Sequence, residues 1–383
     1  MQMTLYTFSR FAEALAGFSA LYPPEFEYFA FCPAESMIKT LKPYRERVCR
    51  FCGRGATDTK FKKRAHAIPE LLGNKYLLSD SECDQCNELF SLLENDLANF
   101  LGATRSVSQV STKKKSLGFT AHKKHLTIKK EPFYGIEGIA IARDGVNNKV
   151  FAYDLEQGRF DITFTKQPYT PLKVYKALLK IAMSVMPPEH VGDYGHLLPL
   201  LVHDENNVLA QFAVIGMFES PWHTTTPRYH ISQKANPDNA VCTHVVTLYF
   251  LQFIFSISIP LHNQDIAIGL YKGEDYQLYM CPPLYTDEPI EDDKNKCLFE
   301  WKNLTSTEPI IEEQVMALQM APDAFKNTEL YDPATGIFSP STEARPNIVK
   351  IVMTQGDELP DFPEGPFTHE SENSAESARS SEG

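Results

Sequence analysis

The sequence predicts an α+β protein with a small cysteine-bearing module near its N-terminus and a larger C-terminal domain rich in antiparallel strands. Three observations predict it. Two C-x-x-C pairs, Cys49/Cys52 and Cys83/Cys86, bracket a compact segment. Short alternating runs begin at about residue 135, at Ile139–Ala142, Lys149–Tyr153 and Arg159–Phe164, separated by Asp144-Gly145 and Gln157-Gly158. Between Thr170 and Met186 the apolar residues recur at helical spacing, with Pro171 at the first helical position.

The elements follow in order. Residues 1–45 read as a helical lead-in, with Ser9 as the cap of a helix through Phe11, Leu15 and Phe18 that Pro23-Pro24 would end. Residues 46–102 form the cysteine module. Its last part carries Leu89, Phe90, Leu93, Leu97 and Leu101, one face of a helix from Asn87. Residues 103–134 show no apolar period and read as a basic linker or arm. In the domain at 135–355, the alternating runs predict a meander of hairpins. Val208–Phe218, Arg228–Ser232, Val241–Ile259 and Ile266–Tyr271 predict further strands. Residues 356–383 are rich in Pro, Ser and Glu, the composition of a disordered acidic tail.

Composition sets the class. The chain has 383 residues, 43% of them hydrophobic and 22% charged, which excludes a fibrous or wholly disordered protein. A net charge of −12 makes the whole chain a poor partner for nucleic acid, so any such contact must come from local basic clusters. The first twenty residues lack a basic start followed by an unbroken apolar run, so no signal peptide is expected. The apolar stretch Val245–Pro260 is shorter than the roughly 20 residues of a membrane helix and is rich in β-branched and aromatic residues. It predicts a buried strand, and no membrane partner is expected. Paired C-x-x-C motifs without a secretory signal point to metal binding in a reducing, cytoplasmic setting.

The module reads C-R-F-C-G at 49–53, R-A-H-A-I-P-E-L-L-G-N at 64–74 and C-D-Q-C-N at 83–87. Two such pairs present four thiolates that suit a tetrahedral zinc ion. A single clip of this kind needs nothing between its halves, yet this chain places His66, Ile68-Pro69 and Gly73-Asn74 there. The order C-x-x-C, His-x-x-Pro, Gly-Asn, C-x-x-C-Asn resembles the HNH endonuclease family. That resemblance implies a ββα-metal unit braced by a structural zinc on Cys49, Cys52, Cys83 and Cys86.

It further implies that His66 is the general base, since an imidazole with a pKa near about 7 can take a proton from the attacking water. Asn74 would match the asparagine that holds the imidazole. Asn87 would match the ligand of the catalytic divalent metal, Mg²⁺ being the expected ion. The family often has an acid just before the base; here that position is Ala65. Glu70, Glu82, Asp84 and Glu94 are the candidate replacements, Glu94 standing two turns after Asn87 on the same face of the expected helix. DNA is the implied substrate. Arg64 among the basic residues of 39–64, and Lys113, Lys114, Lys115, Lys123 and Lys124 in the arm, are candidate phosphate contacts. The other reading of the same residues is a zinc module that binds nucleic acid or protein without cutting it. Lys173, Lys176 and Lys180 give the helix at 170–186 a basic face that would be solvated or would touch DNA.

Overall fold

The computed structural model describes residues 7–23, 27–31, 41–110, 118–130, 138–143, 150–154, 159–272, 277–284, 297–319, 329–332, 337–340 and 350–354. The architecture is α+β with antiparallel sheets, as the sequence predicts. The chain divides into two compact units, each built from two stretches of sequence: 1–115 with 168–311, and 116–167 with 312–383. Expected features at Lys113, Lys114, Lys115 and the acidic tail at 356–383 lie outside the described residues.

In the first unit the helices are α1 (Ala12–Leu21), α2 (Asp84–Leu101), α3 (Thr104–Val107), α4 (Pro171–Val185), α5 (Pro188–Val191), α6 (Leu197–Val202) and α7 (Asn263–Ala267). Its strands are β1 (Glu27–Phe31), β2 (Ala65–His66), β3 (Leu78–Ser79), β9 (Val214–Gln233), β10 (His244–Ile259) and β11 (Leu298–Asn303). The long hairpin of β9 and β10 is the backbone of this unit, and β1 and β11 pair along β9 as well. Nearly every residue of β10 is buried, on both faces. A strand covered on both faces gives up its alternation and becomes a continuous apolar run. That is why Val245–Pro260 looks membrane-like in sequence. No helix among the described residues is long and apolar enough to cross a membrane.

Helices α2 and α4 pack together, and α4 also lies on β10. Both were legible from their apolar period, yet their ends differ from expectation. α2 begins at Asp84 rather than Asn87, with Cys83 as the residue before its first turn, so the second C-x-x-C is itself the helix start. Thr170 does precede α4, but its hydroxyl makes no capping bond; its N–H instead donates to Asp96 Oδ1 of α2 at 2.6 Å. Near the N-terminus, Ser9 opens a 3-10 turn and the α-helix starts at Ala12.

The expected strand at Ile266–Tyr271 is a helix in its first part. The His262 imidazole accepts the N–H of Gln264 and starts α7, and Asp265 within it forms a buried pair with Lys234 Nζ at 2.8 Å. A cap and a buried ion pair outweigh the local strand pattern there. Val208–Phe212, the first half of another expected strand, is likewise a 3-10 helix before β9.

The second unit holds β4 (Phe119–Thr120), β5 (Leu126–Lys130), β6 (Gly138–Arg143), β7 (Phe151–Asp154), β8 (Arg159–Thr165), β12 (Glu313–Gln319), β13 (Glu329–Asp332), β14 (Ile337–Pro340) and β15 (Lys350–Thr354). They pair in the orders β15-β6-β5-β4, β12-β8-β7 and β13-β14. Two expectations are corrected here. The runs at 139–164 do not form one meander, because β6 pairs with β5 and β15 while β7 pairs with β8. The described part of the basic arm is not irregular either. Leu126 and Ile128 are buried between Thr127 and the exposed Lys129, a short period-2 strand. Lys123 and Lys124 sit exposed in the turn before it, both at positive φ.

At the start of β10 the chain buries a cluster of imidazoles. The ring of His244 lies 4.9 Å from that of His190 and 5.6 Å from that of His262, and its Nδ1 is 2.8 Å from Tyr194 Oη. Burial, then the neighbouring His190, His262 and Lys234, push His244 down to about 3. The unfolded chain would bind that proton near the ordinary value of about 6.5. The unfolded state therefore holds more protons between those values, and stability falls as pH drops below about 6.5. For His244 alone the loss between pH 7.5 and pH 5 is about 2 kcal/mol. Urea melts at both pH values, compared with His244→Asn, isolate this contribution from that of other groups. An equal loss in wild type and His244→Asn would refute the assignment.

Candidate functional site

The site is built on very little regular structure. β2 and β3 pair over two residues each, Ala65 with Ser79 and His66 with Leu78, and the N–H of Ala67 extends the ladder to Leu77 O. Between them the chain turns through a 3-10 helix at Glu70–Leu72, ended by Gly73 at φ 87, a backbone state open to glycine. Asn74 is fully buried in the turn that follows. Its Oδ1 accepts from the N–H groups of Tyr76 and Leu77, and its Nδ2 donates to Ile68 O and Leu77 O. All of those bonds go to the backbone of its own loop. The structure thus places Asn74 as the clip that closes the β2–β3 loop, where the sequence reading expected it on the His66 ring.

The four cysteines converge. The sulfurs of Cys49, Cys52, Cys83 and Cys86 all lie within 4.8 Å of one another, and Cys52 and Cys83 are 3.8 Å apart. Four thiolates about 2.3 Å from one tetrahedral ion would be spaced by about 3.8 Å, so the donor set and its spread fit a closed metal centre. The first knuckle turns at Gly53, φ 71, whose N–H donates to Cys49 O. The hydrogen bond from Cys86 does most to hold the Cys49 thiol below its ordinary range, and backbone N–H groups of Cys52, Cys83 and Phe51 add to this against burial. Arg54 Nε donates to the Cys52 sulfur at 3.3 Å. These donors suit sulfurs that carry negative charge, as metal-bound thiolates do.

The second knuckle runs directly into α2, and the Asn87 N–H donates to Cys83 O. Cys86 and Asn87 therefore share the first turn of the helix. Asn87 is half-buried, as is His66, whereas Arg64 is exposed two residues before His66. Ala65, at the position where an acid was looked for, is buried.

Glu94 does not stand free to meet a metal. Its Oε1 lies 3.2 Å from Lys180 Nζ of α4, and the same ammonium lies 3.2 Å from Glu82 Oε2 and donates to His66 O at 3.2 Å. The Lys180 side chain is 1% exposed. Burial pushes the Glu82 carboxyl up to about 7, against the pull of Lys180. Burial opposes charge on Lys180 as well, but the two carboxylates outweigh it and hold its pKa above the ordinary value. The expected basic face of α4 is largely paired rather than uniformly solvated: Lys173, exposed, lies 3.9 Å from Asp96, Lys176 is 2.9 Å from Asp204, and Lys180 is buried.

Arg50, counted among the basic residues of the module, is also turned inward. Its guanidinium donates to Met183 O, Ser184 O and Met186 O at the C-terminal end of α4, and to Ser81 Oγ. Free carbonyls at a helix end attract a cation. Sequence inspection missed Arg50 and Lys180 as parts of the site. Their signal was present only as long cationic side chains at otherwise apolar helix or knuckle positions, and reading it requires knowing which elements meet.

The comparisons with curated proteins and with solved structures give no match to the chain. Residues 49–94, from the first knuckle to the α2 residue that meets Lys180, do match the model of the HNH endonuclease family, and this identifies the segment as an HNH-family module.

Proposed function

We propose that the protein is a metal-dependent endonuclease that hydrolyses DNA phosphodiester bonds, with His66 as the general base. The observation that carries this reading is the family match at 49–94 falling on a segment whose four cysteines converge at the start of α2. A zinc ion on Cys49, Cys52, Cys83 and Cys86 fixes that frame; with four sulfur ligands it has no open position for water, so it is structural. His66, half-exposed at the end of β2, would accept the proton of an attacking water. Asn87 would hold a second, weaker ion, most simply Mg²⁺. When bound, that ion would stabilise the charge developing on the phosphate. Glu94, tied to Lys180, is not assigned to it. Arg64 in the module and Lys123 and Lys124 in the other unit are each exposed and would contact phosphate, as would Lys113, Lys114 and Lys115 by their charge.

One observation favours the non-catalytic alternative: Ala65 supplies no acid, and Glu82 and Glu94 are both occupied by Lys180. Incubation of supercoiled plasmid with the full chain in Mg²⁺, Mn²⁺ or mild EDTA separates the two. The nuclease reading expects nicked or linear product with either metal and none in EDTA. DNA binding without cleavage in either metal would establish the zinc module as a binder.

A further inference from the structure

We propose that Lys180 is a positioning residue for the HNH module: from α4, outside the family segment, it holds the strand that carries His66 against the helix that carries Asn87. The inference rests on the reading of His66 as the base.

The argument begins with how weak the local frame is. β2 and β3 share a ladder of two residue pairs, and an isolated two-stranded hairpin is marginal in water even when longer. The Asn74 clip closes the loop between them through bonds to the backbone of that loop. The residues leading into β2 are held to the start of α2 by the Lys63 N–H on Asp84 Oδ1, the Asp84 N–H on Lys60 O and the Lys63–Glu88 pair, but those bonds stop three residues before His66, and a base displaced by about 1 Å can lose about 10²-fold in rate.

Lys180 makes that link. Its ammonium donates to the backbone oxygen of His66, pairs with Glu94 two turns along α2 from Asn87, and pairs with Glu82, the residue before the zinc-type ligand Cys83. It also lies over the ring of Phe90 on α2, 5.7 Å from its centroid. One buried cation thus joins the base-bearing strand, the helix and the second knuckle. The ammonium donates hydrogen bonds to His66 O and Glu94 Oε1 and forms an ion pair with Glu82 Oε2, each at 3.2 Å. Arg50 ties the first knuckle to the carbonyls at the C-terminal end of the same helix. α4 is accordingly a fixed part of the module rather than a neighbour.

The position is specific in chemistry. A hydrophobic residue at 180 would suit a helix face packed on α2, and Leu178, Leu179 and Ile181 surround it in sequence. Lysine there costs desolvation, which its two carboxylates offset. The bond to His66 O is the one contact of this ammonium that packing alone does not call for.

Lys180→Met leaves two buried carboxylates unpaired and can unfold the unit. The deciding variant is therefore Lys180→Met/Glu82→Leu/Glu94→Leu, which removes all three charges and leaves His66 O without its donor. The full chain is compared with wild type for zinc content, plasmid cleavage under single turnover, DNA affinity, and amide exchange at Ala67. Positioning expects a folded, zinc-loaded triple variant that binds DNA within about twofold of wild type and cleaves about 10–10²-fold more slowly. It also expects the Ala67 amide, which closes the ladder to Leu77 O, to exchange at least about tenfold faster, while amides of β10 are unchanged. A purely structural lysine would leave both readouts at the wild-type level in this folded variant, and that result overturns the proposal. A lower rate with unchanged Ala67 exchange overturns it too, since the effect would not pass through the strand. If wild type cuts no DNA, the nuclease reading falls, and Ala67 exchange alone decides: faster supports the link through Lys180, unchanged refutes it.

Discussion

Replacing His66 with alanine is expected to lower Mg²⁺-dependent plasmid cleavage by about 10²–10⁴-fold, the usual contribution of a positioned base. The geometry makes this substitution a clean probe. His66 takes part in the β2–β3 ladder and in the bond to Lys180 through its backbone, and alanine keeps both. The four cysteines lie elsewhere in the module, so zinc content should stay at about one ion per chain. DNA affinity should be nearly unchanged, because phosphate contacts come from cationic side chains such as the exposed Arg64. The wild-type rate should rise with pH as an imidazole base loses its proton, and this limb should vanish in the variant. Single-turnover cleavage across pH, with zinc and affinity measured on the same samples, checks each part. Cleavage by His66→Ala equal to wild type would remove the base assignment and favour a module that only binds.

What the sequence shows of this fold depends on how local the cause is. α2 and α4 were legible because their apolar residues recur at helical spacing, even though α4 is covered by both α2 and β10. The cysteine cluster was legible because each knuckle is a four-residue motif. Pairings across long separations left no such trace. β6 pairs with β15 and β8 with β12, so the runs at 139–164 mimic a meander that does not form. Charge was the least legible property. Lys173, Lys176 and Lys180 look alike in sequence, yet each meets its own carboxylate, and only the third is fully buried. The spacing of Asn74 behind His66 was a true signal of a shared loop. Its side chain serves the backbone of that loop, a role that an asparagine fulfils with both its donor and acceptor groups.

Replacing Cys83 with serine is expected to cost the module its metal and most of its order. A structural zinc contributes apparent folding energies of about 10–16 kcal/mol in small peptides, comparable to or larger than the whole net stability of a domain at about 5–15 kcal/mol. The dependence should be acute here because so little else holds the segment. β2 and β3 pair over two residues each, and the first knuckle is irregular backbone. Cys83 is also the residue before the first turn of α2, and its carbonyl accepts from the Asn87 N–H. Its loss therefore reaches the proposed ligand of the catalytic ion as well as the zinc. Metal analysis should fall from about one zinc per chain to a small fraction. Ala67 and Asn87 amides should lose protection, and cleavage should disappear even with excess Mg²⁺. Mild EDTA acts differently on wild type: it should stop cleavage while zinc stays bound, and added Mg²⁺ should restore it, because a thiolate-bound zinc is held far more tightly than an ion on Asn87. A Cys83→Ser chain that keeps its zinc and its protected amides would show that the four-sulfur centre does not organise the module. Cleavage that persists in mild EDTA but stops when zinc is stripped would move the chemistry onto the zinc itself.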